Sequence, residues 1–152
     1  MPLNDLLAAH AVLPALKSKN KKQVLQEVAA RAAELCGRSE REIFETLLHR
    51  ERLGSTGIGQ GVAIPHGKLP ALERLVGVFA RLEKPIDFDA LDGEPVDLIF
   101  LLLAPEGAGA DHLKALARIA RLLRDEKIAA QLRAARDENA LQALLVTPAA
   151  AA

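Results

Sequence analysis

The sequence predicts an α/β protein, a three-layer α/β/α sandwich with a mixed central sheet flanked by helices. Residues 20–54 carry apolar side chains at helical spacing, residues 74–105 contain two runs rich in strand-forming residues, and residues 111–146 return to helical spacing. The second of these runs, VDLIFLLLAP, is almost continuously apolar. Such a strand requires helices on both faces of its sheet, which predicts the three layers.

Two helices are predicted in the N-terminal part. The first is NKKQVLQEVAARAAELCG, whose apolar positions follow the helical period and whose final glycine is a helix stop. The second is SEREIFETLLHRERLG, in which Ser39 and Glu42 match a capping box and Gly54 ends the helix. A short strand at 11–16 is expected to precede both helices.

Strands at 74–82 and 96–105 follow, separated by the turn-rich segment PIDFDALDGEP. After the loop EGAGA, the segment DHLKALARIARLLRDEKIAAQLRAARDENALQALLV predicts two or three amphipathic helices. Asp111 is the expected N-cap of the first, with breaks near Asp125 and Asp137.

The length of 152 residues suits a single domain, which we place at residues 1–146, with a flexible tail at 147–152. The 20 basic and 20 acidic residues balance, and the only aromatic residues are four phenylalanines, so a nucleic-acid partner is not expected. The one cysteine, Cys36, excludes an intramolecular disulfide and a four-cysteine metal site.

The N-terminal residues lack the pattern of a secretory signal, and the longest apolar run, residues 98–104, is too short to span a bilayer. We therefore expect a soluble, cytoplasmic protein without membrane insertion.

The most unusual segment is GSTGIGQGVAIPHGKL, residues 54–69. Its alternating glycines allow backbone N–H groups to approach an anion closely, and two hydroxyl donors precede them. This arrangement predicts a phosphate-binding set, which consists of Ser55, Thr56, Gly57, Gly59 and Gly61.

His66 ends the apolar run of this segment, between Pro65 and Gly67. A neutral imidazole is a nucleophile near neutral pH, because its ordinary pKa is about 6.5. Beside anion-binding amides it could accept a phosphoryl group and pass it on. The residues alone leave another interpretation open, a solvated or hydrogen-bonded structural histidine.

Three other motifs do not fit. The dinucleotide fingerprint fails because Val62 or Ile64 stands where its last glycine is required. The Walker phosphate loop fails in glycine spacing, and Leu69 replaces its magnesium-binding hydroxyl. DFDALDG fails as a calcium loop because Leu91 occupies a ligand position.

Three segments resemble enzyme IIA proteins of the bacterial phosphotransferase system, of the mannitol/fructose/nitrogen-regulatory class. They are RERLGSTGIGQGVAIPHGK, FDALDGEPVDLIFLLLAP and HLKALARIARLL. The match covers roughly residues 3–146, and the contiguous GSTGIG and PHGK are most similar to the nitrogen-regulatory branch.

The resemblance implies roles at the matching positions: His66 as the phosphorylated histidine, through Nε2, His112 as a second active-site histidine and Arg50 as an active-site arginine. The chemistry of these positions is consistent. His112 lies in the first turn of a predicted helix, where the positive dipole end disfavours protonation. Arg50 could bind phosphate oxygens in a bidentate manner.

The resemblance implies a regulatory phosphoryl carrier that is charged by a phosphorylated HPr-like carrier, itself charged from phosphoenolpyruvate through enzyme I. Its phosphorylation state would be signalled to target proteins such as potassium-transport or sensor components, in nitrogen or potassium regulation. No metal and no organic cofactor are expected. One alternative is a sugar-specific fructose- or mannitol-type IIA that passes phosphate to a IIB domain. The other is an anion-binding or protein-binding module that forms no phosphohistidine.

Overall fold

The computed structural model describes residues 6–8 and 10–146. These residues form one mixed sheet of six strands and five helices that cover it. In chain order the elements are β1 (Val12–Leu16), α1 (Lys21–Cys36), α2 (Glu40–Leu53), β2 (Gly57–Gly59), β3 (Val62–Ala63), β4 (His66–Leu69), β5 (Val76–Ile86), β6 (Val96–Pro105), α3 (Ala110–Arg124), α4 (Glu126–Ala134) and α5 (Glu138–Val146).

The strands lie in the order β1-β5-β6-β3-β2, and β4 also pairs with β6. β5 is antiparallel to β6, whereas β1 is parallel to β5, and β3 and β4 are parallel to β6. Val62 pairs with Leu98 and His66 with Leu102, so β3 and β4 follow one register along β6. The interruption between them contains Pro65, which has no N–H to donate to the ladder.

The side chains of β6 alternate between two hydrophobic clusters, as its predicted burial on both faces requires. Ile99 and Leu101 face the layer formed by α1 and α2, whereas Leu98 and Phe100 face the layer formed by α3, α4 and α5. The predicted three-layer α/β/α sandwich with a mixed sheet is therefore confirmed.

The ends of the N-terminal helices also agree with the sequence. Ser39 Oγ accepts a hydrogen bond from the Glu42 amide at 3.3 Å, as expected for the N-cap of α2. The prediction for α3 was wrong: Gly109 is its N-cap residue, and Asp111 lies inside the first turn without a capping hydrogen bond. The Asp111 carboxylate still complements the positive end of the helix dipole there.

Two strand predictions need correction. β5 begins at Val76 and continues to Ile86, beyond the predicted end at Leu82, because a register shift brings Ile86 opposite Val96. Residues 54–69, for which no strand bounds were predicted, contain β2, β3 and β4. The predicted tail at 147–152 lies outside the described residues. Within the described part of the chain, no helix has the length and apolar character needed to cross a membrane.

Candidate active site

The fold brings together the three residues expected to carry the chemistry. Arg50 lies in the last turn of α2, His66 begins β4, and His112 lies in the first turn of α3. Because β4 pairs with the second half of β6 and α3 follows β6 after a short loop, the two histidine rings become neighbours. Their centroids are 5.5 Å apart and their planes are tilted by 55°.

The His66 ring is held by a hydrogen bond between its Nδ1 and the backbone carbonyl oxygen of Ile64, at 2.8 Å. A carbonyl oxygen only accepts hydrogen bonds, so Nδ1 must carry the proton. In the neutral ring the lone pair then lies on Nε2. The geometry therefore provides a nucleophilic nitrogen at Nε2, the atom that the family resemblance implies.

The surroundings favour the neutral form of His66. Burial is the largest effect and lowers its pKa, the bond to the Ile64 carbonyl raises it, the charge of Arg50 lowers it and the charge of Glu51 raises it. The net shift is downward from the ordinary value of 6.5. At neutral pH the Nε2 lone pair is therefore available to attack an electrophile.

His112 is buried, and its Nδ1 has no hydrogen-bond partner among the described residues. Its pKa is lowered by burial first, then by the charges of His66 and Lys68. The direction agrees with the expectation, and burial is the largest cause. Two adjacent imidazoles that both favour the neutral form do not repel each other.

Arg50 is half-buried, and its Nη1 donates to the carbonyl oxygen of Gly54 at 2.8 Å. This bond holds the guanidinium over the chain that leaves α2. A guanidinium has five N–H donors, so the group retains donors for an incoming anion. Its charge is one of the smaller causes that lower the pKa of His66, after burial.

Three of the residues predicted to bind phosphate have donors that are already engaged within the protein. Ser55 Oγ donates to the carbonyl of Phe88 at 2.7 Å and accepts from the Gly57 amide at 3.0 Å. The amide and the hydroxyl of Thr56 both donate to the Glu51 carboxylate. Phosphate binding by these residues remains a prediction, which would require an exchange of partners.

The structure does not bring Gly59 and Gly61 to His66. Gly59 ends β2, and Gly61 lies in the two-residue turn before β3. The first residue of β3, Val62, pairs with Leu98, whereas His66 pairs with Leu102, about 13 Å away along β6 at ~3.3 Å per residue. Gly61 and Gln60 have φ of +81° and +58°, as a tight hairpin turn requires. Their positions explain the two glycines by turn geometry, and their phosphate-binding role also remains a prediction.

Sequence reasoning missed Glu51, which is buried at 6% exposure beside Arg50. Its side chain forms an ion pair with Lys21 at 2.9 Å. Residues 50–52, Arg-Glu-Arg, are all charged, which is typical of a solvent-exposed helix surface. A signal was nevertheless present, because Glu51 continues the buried stripe of Ile43 and Leu47 at four-residue spacing.

Known proteins are similar to this chain in sequence and in fold. A family model described as "Phosphoenolpyruvate-dependent sugar phosphotransferase system, EIIA 2" matches residues 5–147. The chain is 66% identical over 152 residues to a nitrogen regulatory protein of Bradyrhizobium diazoefficiens, covering 100% of this chain and 99% of that protein. It is 37% identical over 142 residues to the fructose-specific EIIABC component of Bacillus subtilis, covering 93% of this chain but 22% of that protein.

A crystal structure of the nitrogen regulatory protein IIA-Ntr from Neisseria meningitidis superimposes with a TM-score of 0.89 at 36% identity, covering 94% of this chain and 98% of that one. The similarity to nitrogen regulatory proteins is thus greater than that to the fructose component. It supports a regulatory phosphoryl-carrier role, with the sugar-specific IIA proteins as the alternative. Sequence, fold and site agree, and the chain belongs to the EIIA type 2 family of the phosphoenolpyruvate-dependent phosphotransferase system.

Proposed function

We propose that this protein accepts a phosphoryl group on Nε2 of His66 from a phosphorylated HPr-like carrier and signals its phosphorylation state to target proteins. The observation that carries the proposal is the bond from His66 Nδ1–H to the Ile64 carbonyl, which leaves the Nε2 lone pair free. This role places the protein in the cytoplasm, with its donor. The likeness to nitrogen regulatory proteins supports a regulatory role, for which we propose targets such as potassium-transport or sensor components.

In the transfer step, the Nε2 lone pair attacks the phosphorus atom of the donor phosphohistidine. A bond forms between His66 Nε2 and phosphorus, the nitrogen–phosphorus bond of the donor breaks, and its electron pair returns to the donor imidazole. Nδ1–H keeps its bond to the Ile64 carbonyl, so the positive charge that develops on the ring is partly offset by an oxygen.

Arg50 and His112 contribute through electrostatics and position. The Arg50 guanidinium can offset the charge on the oxygens of the moving phosphoryl group. A neutral His112 can donate one hydrogen bond to the same group, and its place in the first turn of α3 also favours an anion. Transfer between two histidines then needs positioning, with no metal and no organic cofactor.

A phosphorylation assay tests this function directly. The protein is incubated with phosphoenolpyruvate, enzyme I and an HPr-like carrier, and its intact mass is measured. We expect one acid-labile phosphoryl group on the wild type and on His49→Ala, an exposed histidine of α2, and none on His66→Ala. An unmodified wild type would contradict the proposal and favour the alternative of an anion-binding or protein-binding module.

The sugar-specific alternative differs in the next acceptor. It is supported by the 37% identity to a fructose-specific component. If the phosphorylated protein is mixed with a fructose- or mannitol-type IIB domain, rapid and complete transfer would favour sugar uptake. Retention of the phosphoryl group, together with target binding that differs between the two forms, would favour regulation.

A further inference from the structure

Glu51 is a buried carboxylate that is connected to the candidate active site through hydrogen bonds. Carboxylates are seldom buried unless they are paired. Glu51 Oε1 accepts from the Thr56 amide at 3.0 Å and lies 2.9 Å from Lys21 Nζ, and Oε2 accepts a hydrogen bond from the Thr56 hydroxyl. Lys21 Nζ also lies 4.8 Å from the centre of the Phe88 ring. The carboxylate thus joins the starts of α1 and β2 to the end of α2.

A continuous series of hydrogen bonds runs from Thr56 to the His66 ring. The Thr56 carbonyl accepts from the Ile64 amide at 3.0 Å, and the Ile64 carbonyl accepts from His66 Nδ1 at 2.8 Å. On the other side, the Pro65 carbonyl accepts from the Leu102 amide at 2.9 Å. The carbonyl that selects the His66 tautomer therefore depends on two anchors, the central strand β6 and the Glu51–Thr56 pair.

We propose that Glu51 is a positioning residue that, through Thr56 and the Ile64 backbone, fixes the orientation and tautomer of His66. Its effect on phosphoryl transfer rests on the proposed function, but its effect on the ring does not. If the Glu51 carboxylate becomes an amide, one of its two acceptor oxygens is replaced by an NH2 donor. Thr56 then loses the acceptor of its amide or of its hydroxyl, and the strand that holds Ile64 is free to shift. A displaced carbonyl allows the tautomer that carries the proton on Nε2, which has no lone pair at the attacking atom.

This role predicts effects that simple stabilisation does not. The test uses Glu51→Gln, which keeps the side-chain shape, and Thr56→Val, which removes only the hydroxyl. The control is Glu45→Gln, because Glu45 is an exposed residue of α2 paired with Arg41 at 3.1 Å. The double variant Lys21→Met/Glu51→Gln also removes the partly buried Lys21 ammonium, which would lose its nearer carboxylate partner, and provides folded protein if Glu51→Gln is unstable.

The first readout is the ¹⁵N spectrum of the His66 ring in the unphosphorylated protein. We expect the Nδ1–H tautomer in the wild type and in Glu45→Gln, and a mixture of both tautomers in the Glu51 and Thr56 variants. The second readout is the phosphorylation rate, which should fall about ten- to hundredfold in Glu51→Gln, the usual cost of losing a group that orients an active residue.

Unchanged tautomer populations in folded Glu51→Gln or in the double variant would overturn the inference, even if the free energy of unfolding fell. That outcome would leave Glu51 a structural residue only. Because the tautomer is measured without phosphate, the inference is decided even if the wild type is not phosphorylated. In that event the proposed function fails and the positioning of His66 is judged separately.

Discussion

Replacement of Gly57 by alanine tests whether this glycine serves close packing or phosphate binding. A Cβ at Gly57 would lie 2.8 Å from Cβ and 2.9 Å from Cα of Ala90. Carbon atoms at optimal separation are about 3.5–4.0 Å apart, so the backbone at Ala90 must move by about 0.6–1.2 Å. The Leu91 amide donates to the Gly57 carbonyl at 3.1 Å, and this movement would weaken that bond.

The expected cost follows from these distances. Overpacking of this kind costs about 1–3 kcal/mol, and the weakened hydrogen bond about 1 kcal/mol more. The lower entropy of an unfolded chain with alanine offsets about 0.4–1 kcal/mol. We therefore expect Gly57→Ala to lower the free energy of unfolding by about 1–3.5 kcal/mol, measured by urea denaturation with an unchanged slope.

Gly107→Ala is the matched control, because a Cβ there would meet no atom within 4 Å. Its unfolding free energy should equal or slightly exceed that of the wild type. Gly57→Ala/Ala90→Gly removes one of the two clashing methyl groups but leaves the backbone of residue 90 in place, so it should recover only part of the loss. Equal stability of Gly57→Ala and Gly107→Ala would refute the packing argument. Loss of phosphorylation at wild-type stability would instead favour phosphate binding by Gly57.

Three further predictions concern other parts of the molecule. Arg133→Met removes a bidentate pair with Asp97, in which the Nε–Oδ2 and Nη2–Oδ1 distances are both 2.9 Å. This substitution should lower the unfolding free energy by about 1–2 kcal/mol without affecting phosphorylation. An unchanged urea midpoint would contradict this prediction. Phe100→Ala opens a cavity in the layer beneath α3 to α5 and should cost about 3–5 kcal/mol by the same assay; a loss below about 1 kcal/mol would contradict the described packing. The pKa values of His66 and His112 are lowered from 6.5, so phosphorylation should persist as the pH falls through 6.5 and decline only below the folded-state pKa. NMR titration of both rings can verify these pKa values. A decline in phosphorylation centred at or above pH 6.5 would contradict the prediction.

The same lowered pKa values fix the sign of a stability effect. Between the folded-state pKa and 6.5, the unfolded chain binds more protons on His66 and His112 than the folded chain does. The free energy of unfolding should therefore fall as the pH is lowered through 6.5 and level off below the folded-state pKa. Urea titrations of wild type and His112→Asn across this range measure the effect, and an equal slope in both would contradict the assignment to His112.

The sequence predicted those elements whose signal is local. The helical period and the glycine stop predicted α1, and the continuous apolar run predicted β6 with its bounds correct. It did not predict β2, β3 and β4, because strands of three, two and four residues rich in glycine have little periodicity of their own. β3 and β4 depend on pairing with the distant β6, where Val62 pairs with Leu98 and His66 with Leu102, and β2 depends on pairing with β3.

The candidate site also combines features that the sequence predicted with features that it did not. Chemical reasoning identified His66 as a candidate, the resemblance added Arg50 and His112, and the fold brings the two histidine rings together. Chemical reasoning about the glycines did not foresee that Gly59 and Gly61 lie at the other end of β6. Nor could the sequence show which carbonyl binds the His66 ring, since that contact depends on where a proline interrupts the strand.

In the proposed transfer, Nε2 of His66 is the attacking atom because Nδ1–H is bonded to the Ile64 carbonyl. The most direct test is a long-range ¹H–¹⁵N NMR spectrum of the phosphorylated protein, which identifies the nitrogen bonded to phosphorus. We expect the phosphoryl group on Nε2, with Nδ1 still protonated. A phosphoryl group on Nδ1 would contradict the account, because that nitrogen would have to give up the Ile64 carbonyl before it could react.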